Sequence, residues 1–171
     1  MKTKQLLKVM HVIAWIVFIA LCIKTGAILI SYFVSISNPE AAKNLYEGLN
    51  LFEYYNHSFL QYSFIIGYKV LLFSVEAYIA FLVTKLLSGL NLEKPFNFNV
   101  QKLMQKISYS IFYLWILAIV HNTQVQYLGK KYRFTIDLFS SDFIFLAGII
   151  FIFAQIVKRG IEIQSENELT I

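Results

Sequence analysis

The stretch that decides the fold is VMHVIAWIVFIALCIKTGAILISYFV, which occupies residues 9–34. A helix that crosses the hydrocarbon core of a bilayer needs ~20 consecutive residues that are mostly apolar. This stretch exceeds that length, and Lys24 is the only lysine, arginine or acid within it. Inside lipid, every backbone N–H and C=O must find a partner in the protein, which leaves only helices and closed barrels. Because the stretch lacks the alternating pattern of a barrel strand, it predicts a spanning α-helix.

Three further apolar stretches, at residues 59–87, 107–127 and 138–158, also have the length of a membrane span. The composition agrees, because 58% of the chain is hydrophobic and 15% is charged, whereas soluble domains average about 25% charged residues. These values argue against a soluble enzyme and against a disordered chain. We therefore predict an all-α membrane protein in which residues 1–171 form one domain. The domain is a bundle of four transmembrane helices with short amphipathic helices at the interface.

The lysines and arginines that flank the four stretches predict the orientation in the membrane. One side carries the larger set, which comprises Lys2, Lys4, Lys8, Lys85, Lys94, Lys102, Lys106, Lys158 and Arg159. The opposite side carries Lys43, Lys130, Lys131 and Arg133. Because cytoplasmic loops are enriched in basic residues, we expect a multi-pass protein of the bacterial cytoplasmic (inner) membrane with both termini in the cytoplasm. The compact basic group at residues 130–133 opposes this assignment.

Two connections predict interfacial helices. Residues 38–40 read Asn-Pro-Glu, which is typical of a helix start with a capping side chain, a proline at the first position and an acid in the first turn. Apolar residues between 42 and 52 then follow helical spacing, which predicts an amphipathic helix on the outer membrane surface. Ahead of the third span, Asn97 or Asn99 is the cap of a helix whose apolar stripe, within residues 100–107, lies at the inner interface.

Lys24, Lys69 and Glu76 lie inside the first two stretches and form the candidate polar site. A charge at the bilayer centre costs at least ~2.5 kcal/mol, so such groups need partners. Lys69 and Glu76 share one helix face, and Lys24 reaches a similar depth to Glu76 on the first helix. We therefore expect Glu76 to contact Lys24 or Lys69. Two interpretations stay open: an ion pair that fixes the register of the helices, and a polar cavity for a ligand, ion or proton.

The histidines form no catalytic or metal-binding pattern. His11, His57 and His121 are predicted at different depths, which argues against a shared metal site and against a haem held by two histidines. Residues 121–124 read His-Asn-Thr-Gln, for which we expect interhelical hydrogen bonds or exit from the membrane. The chain has no phosphate-binding loop, nucleophile motif or paired carboxylates. We expect no enzymatic activity, no catalytic residue, no metal and no cofactor.

Two stretches carry a family resemblance. The first is PFNFNV at residues 95–100, ahead of the third span, and the second is KRGIEIQSENELTI at residues 158–171. Together they resemble the bacterial domain-of-unknown-function 2975 family, whose members are small four-span membrane proteins. Members commonly have Pro-Phe, a polar residue and then Asn-Val, whereas here Asn97 and Phe98 fill the intervening positions. The resemblance covers the second half of the chain well and the first half by hydropathy alone.

The resemblance implies a role in regulation. Genes of the family often neighbour a small helix-turn-helix regulator of the Cro/C1 type, which implies a non-enzymatic sensor or regulator that acts through such a cytoplasmic partner without contacting nucleic acid itself. The alternative is a small transporter or channel subunit with its polar site at Lys24, Lys69 and Glu76. Lipid is the other expected partner, and a homo-oligomer stays open. We also expect residues 160–171 to form an ordered recognition element. The candidate residues for partner binding are Pro95, Phe96, Asn99, Glu162, Gln164, Glu166, Asn167 and Leu169.

Overall fold

A computed structural model describes residues 3–90, 97–135, 137–140 and 143–168. The described residues include no β-strand and form α1 (Thr3–Ser37), a short 3-10 helix (Pro39–Lys43), α2 (Phe52–His57), α3 (Phe59–Gly89), α4 (Phe98–Tyr132) and α5 (Ile144–Glu168). Four of these helices, α1, α3, α4 and α5, are long and apolar enough to cross a membrane. The predicted fold class is therefore confirmed: the chain is an all-α, multi-pass membrane protein.

The third span begins earlier than its apolar stretch. α4 runs without a break from Phe98 to Tyr132, so the predicted interfacial segment and the span are one helix. Asn97 is its cap, because its Oδ1 accepts a hydrogen bond from the Val100 N–H at 2.9 Å. Its carbonyl accepts a second bond from the Gln101 N–H at 3.1 Å. Of the two predicted caps, Asn97 therefore performs this role, and Asn99 lies exposed in the first turn.

The predicted amphipathic helix after α1 ends after little more than one turn. Asn38 caps it as expected, and its Oδ1 accepts from the backbone N–H two residues on at 3.2 Å. The chain then turns at Glu47 and Gly48, whose φ angles are 47° and 82°, and the Gly48 N–H donates to Asn44 Oδ1 at 3.1 Å. Left-handed residues cannot continue a right-handed helix, so the prediction of one helix over residues 42–52 is wrong.

Two compact units can be distinguished in the chain, and the first contains the beginning of α1 and the whole of α5. This unit comprises Met1–Phe18, Tyr78–Tyr113 and Asp142–Ile171. Its buried apolar core contains Leu82, Ile107, Ile111 and Ala147. The Ser108 hydroxyl on α4 donates to the Ala147 carbonyl on α5 at 2.9 Å. A small residue of this kind allows two helices to approach closely and bond to each other in an apolar setting.

The second unit comprises Ile19–Ala77 and Leu114–Ser141. Its Tyr62 hydroxyl donates to Ser35 Oγ at 2.7 Å, so neither of these buried groups lacks a partner. The connection after α1 packs its apolar side chains into this unit, where Ala42, Leu45 and Leu51 are buried. The buried cluster comprises Ile28, Ala42, Leu45, Leu51, Tyr54, Tyr62, Ile65, Ile66, Phe73, Val125 and Leu128.

α1 leaves most of its apolar side chains uncovered. Val12, Ile16, Ile23 and Ile30 are each more than half exposed. On a water-soluble protein, an apolar surface of this extent marks a site of association or aggregation. Lipid tails are as apolar as these side chains and cover them without a penalty. The exposed face of α1 is therefore what a lipid-facing helix requires.

Candidate functional site

Lys69, on α3, is paired with an acid that lies outside the helices. Its Nζ donates to Oδ2 of Asp137 at 2.7 Å. Asp137 belongs to the α4–α5 segment, by which we mean the described residues 133–135 and 137–140. The Lys69 side chain is 5% exposed and the Asp137 side chain 58%. The ammonium is therefore buried, while its counter-ion is exposed.

The expected contact between Lys69 and Glu76 does not form. Seven residues of α-helix separate two Cα atoms by about 10 Å along the axis, whereas the α4–α5 segment brings Asp137 directly to the ammonium. Within the described part of the chain, Glu76 belongs to no ion pair. Lys24 is the charged group that acts on Glu76 electrostatically. The two remain neighbours without a salt bridge.

Lys24, on α1, rests on an aromatic ring. Its Nζ lies 4.4 Å from the centroid of the Phe73 ring, where the negative face of the ring attracts a cation. The Phe73 ring also packs against Phe139 of the α4–α5 segment, with 5.7 Å between the centroids. The three intramembrane charges are therefore divided: Lys24 stays near Glu76, and Lys69 engages the segment. A functional role for the three stays a prediction.

Asn122, on α4, holds the α4–α5 segment by a two-point clamp. Its Nδ2 donates to the Phe139 carbonyl at 2.7 Å, and its Oδ1 accepts from the Phe139 N–H at 2.8 Å. One side chain thus satisfies both polar groups of a loop residue, as buried backbone requires. Two residues further on, Gln124 donates to Gln61 of α3 at 3.1 Å. The polar sequence at 121–124 therefore makes both interhelical and loop-holding hydrogen bonds.

His121, the neighbour of this clamp, is fully buried. Its Nδ1 lies 3.2 Å from Asn122 Oδ1. Its Nε2 has no hydrogen-bond partner among the described residues. Lys69 and Asp137 both act electrostatically on the ring. The surroundings of the ring therefore include a lysine, an aspartate and an asparagine.

The α4–α5 segment is fastened at a third point, on the connection after α1. The Tyr54 hydroxyl donates to the Thr135 carbonyl at 2.7 Å, and the Thr135 N–H donates to Glu53 Oε2 at 3.0 Å. Burial raises the pKa of the Tyr54 phenol above its ordinary value, and the carboxylates of Glu53 and Asp137 add to this effect. Tyr54 is therefore neutral at physiological pH and serves as a donor.

Sequence reasoning missed Asp137 and the clamp. The apolar stretch at 138–158 predicted that the fourth span starts at 138, whereas α5 begins at Ile144. Residues 138–140 instead belong to the fastened segment. The one available signal was the acid itself at the edge of an apolar run, and nothing local indicates that it meets a lysine 68 residues earlier.

The final turns of α5 carry half of the predicted partner-binding residues, namely Glu162, Gln164, Glu166 and Asn167. The helix continues to Glu168, well beyond its apolar part. Ala147, Ala154 and Ile161 are buried, and their seven-residue spacing keeps one face of the helix against the protein. Arg159 contacts Glu162 at 3.0 Å, and its Nη1 is 3.8 Å from Glu166 Oε1. This end of the chain is an ordered helix through Glu168.

The predicted partner-binding residues divide by location. Gln164 is exposed on α5, and Asn167 lies within the same helix. Asn99 is exposed in the first turn of α4. Pro95, Phe96 and Leu169 lie outside the described residues. Over that same described portion, no group of three or more histidine, cysteine, aspartate or glutamate residues is placed to hold a metal.

Comparison with known proteins defines the family. No curated protein and no solved structure matches the chain. A family model described as "Protein of unknown function (DUF2975)" matches residues 37–171. The match includes α3, α4, α5 and the connection that follows α1. It therefore extends well beyond the two motifs that carry the resemblance. The chain belongs to the DUF2975 family.

Proposed function

We propose that the protein is a non-enzymatic membrane sensor or regulator that acts through a cytoplasmic partner such as a helix-turn-helix regulator. The observation that supports this most is the helical extension of α5 beyond its apolar part. Chain ends are ordered only when something holds them. Here the burial of Ile161 holds the extension against the protein. Its outward face is therefore presented in a fixed position.

The chemistry of that face suits a protein better than a lipid surface. Glu162 and Glu166 are exposed or half-exposed, and acids oppose attraction to anionic lipid. Ile163 is 45% exposed between them. An apolar side chain flanked by ordered charges is a common feature of helical recognition surfaces. A basic patch on a partner would complement the acids.

Orientation and location are part of the proposal. We propose that the protein lies in a bacterial inner membrane with both termini in the cytoplasm, which the basic residues near the two chain ends support. In that arrangement, the α5 extension and Asn99 face the cytoplasm. The α4–α5 segment then faces the opposite side.

The alternative function, a small transporter or channel subunit, receives less support. It requires Lys24, Lys69 and Glu76 to face one polar pathway. Lys69 is engaged by Asp137, and Lys24 rests on an aromatic ring. Glu76 alone, with no ion pair among the described residues, favours this alternative.

Partner capture tests the proposed function. The full chain in mild detergent is mixed with a helix-turn-helix regulator of the Cro/C1 type, and binding is measured for wild type, Glu162→Lys and Glu40→Lys. Glu162 and Glu40 are matched, because each is an exposed acid in an i,i+3 ion pair, with Arg159 and Lys43 respectively. We expect Glu162→Lys to weaken capture and Glu40→Lys to leave it unchanged. Equal capture by all three proteins would contradict this surface as the docking site.

A further inference from the structure

His121 has a defined tautomer in this structure. The Phe139 N–H needs an acceptor and the Phe139 carbonyl needs a donor, so the Asn122 amide has only one orientation that satisfies both. Its Oδ1 therefore faces His121 Nδ1 at 3.2 Å. Because a carbonyl oxygen cannot donate, Nδ1 must carry the hydrogen. In the neutral ring, Nε2 is then a bare acceptor.

This acceptor is buried and has no partner among the described residues. A buried polar atom without a hydrogen bond is unusual and normally has a function or an unseen partner. A proton on Nε2 would leave a charged, buried N–H without an acceptor, so the closed site disfavours the protonated ring. Histidine is the side chain whose ordinary titration falls between about pH 5 and pH 8. The ring therefore takes up a proton in this range only when the site opens and water reaches it, so acidification favours the open state.

The charges around the ring determine what a proton would do. α3 contributes Lys69, and the α4–α5 segment contributes Asp137; both act on the ring. α4 contributes the neutral Asn122, and α1 contributes Lys24, which contacts the ring of Phe73. With a neutral imidazole, Lys69 and Asp137 balance each other. A protonated imidazole leaves two cations to share one carboxylate.

We propose that His121 is a proton-binding switch that releases the α4–α5 segment when it becomes protonated. An unbalanced charge is expensive inside a protein and is relieved when water reaches it. The segment lies beside the ring, because Asn122 Oδ1 contacts both His121 Nδ1 and the Phe139 N–H, and Asp137 and Phe139 are its fastening points. Opening the segment admits water to the imidazolium and to Lys69. Release of the α4–α5 segment by His121 does not depend on the proposed cytoplasmic partner.

The other titratable groups on the segment, or in contact with it, provide the internal control. The carboxylates here are Asp137, which lies on the segment, and Glu53, which accepts from the Thr135 N–H. His57, on α2, packs against Phe134 of the segment with 5.5 Å between the ring centroids. His57 is exposed and contacts the same segment. It is therefore the matched histidine from which the effect of His121 must be separated.

Spin labelling measures the release directly. Cys22 is the only cysteine, so Cys22→Ala together with Ser140→Cys places one nitroxide on the exposed end of the segment. Label mobility is recorded on the full chain in nanodiscs between about pH 8 and about pH 5. We expect the mobile fraction to rise several-fold as the pH falls. The rise should be abolished by His121→Gln and kept by His57→Gln.

Lys69→Met tests the proton-binding switch even if His121→Gln fails to fold. In Lys69→Met, the imidazolium is the cation left for Asp137, so acidification should fasten the segment and lower the mobile fraction. The sign of the pH response is therefore reversed relative to wild type. The proposal is overturned by an absent response in wild type, by a response that persists in His121→Gln, by its loss in His57→Gln, or by an unchanged sign in Lys69→Met.

Discussion

The pair formed by Lys69 and Asp137 predicts a strong asymmetry between its two deletions. Asp137→Ala removes the only ion-pair partner that the described residues offer to a buried ammonium. Lys69→Met removes the ammonium itself and leaves behind an aspartate that is 58% exposed. Water can replace the lost partner in the second case but reaches the buried lysine poorly in the first. The two substitutions should therefore lower the free energy of unfolding by very different amounts, although they break the same contact.

The magnitude follows from the burial of each group. A hydrogen bond to a buried charged group contributes about 1.5–3 kcal/mol, and the loss is felt fully when the charge stays behind. We expect Asp137→Ala to lower the free energy of unfolding by about that amount, which corresponds to roughly 3–12 °C in the melting temperature for a chain of this size. Replacing a buried lysine by an apolar side chain of similar length is often close to neutral. We therefore expect Lys69→Met to change stability by less than about 1 kcal/mol.

Thermal unfolding of the full chain in one detergent measures both effects. Glu40→Ala is the control, because it removes an acid from a surface ion pair with Lys43, and such pairs contribute about 0–1 kcal/mol. The reasoning would be refuted if Lys69→Met were as damaging as Asp137→Ala. It would also be refuted if Asp137→Ala behaved like the surface control, since the ammonium would then be well hydrated.

Three further outcomes can be checked with the same melts. Asn122→Ala should cost about 1–3 kcal/mol, because it strands both polar groups of Phe139, whereas Thr123→Ala, which loses only a bond to its own helix, should be nearly neutral. The pKa of Tyr54 is raised in the folded protein. Its contribution to the free energy of unfolding is therefore complete below the unfolded-state pKa of about 10 and is lost as the pH rises through the folded-state pKa. Tyr54→Phe should reduce this loss of stability at alkaline pH. Glu76→Gln should change stability by less than about 1 kcal/mol, because no described ion pair is broken; a larger loss would reveal a strong interaction with Lys24.

The sequence by itself determined the class of protein and the existence of four long apolar helices. Hydropathy is a local property, and lipid leaves the backbone of an apolar run little choice but to bond within its own helix. α3 accordingly runs from Phe59 to Gly89, close to the predicted 59–87. Caps are local as well, since an asparagine bonds to an N–H two or three residues away. Asn38 and Asn97 therefore performed the roles that their positions predicted.

Only the tertiary structure decided which polar groups meet. Lys69 could have paired with any acid that the fold brought near, and its partner came from a loop 68 residues away. The tautomer of His121 depends on Asn122, whose orientation depends in turn on Phe139, 17 residues further on. The connection after α1 turns at Glu47 and Gly48 and packs its apolar side chains inward. Such contacts are set by how the chain returns on itself, and neither hydropathy nor spacing along the sequence contains that information.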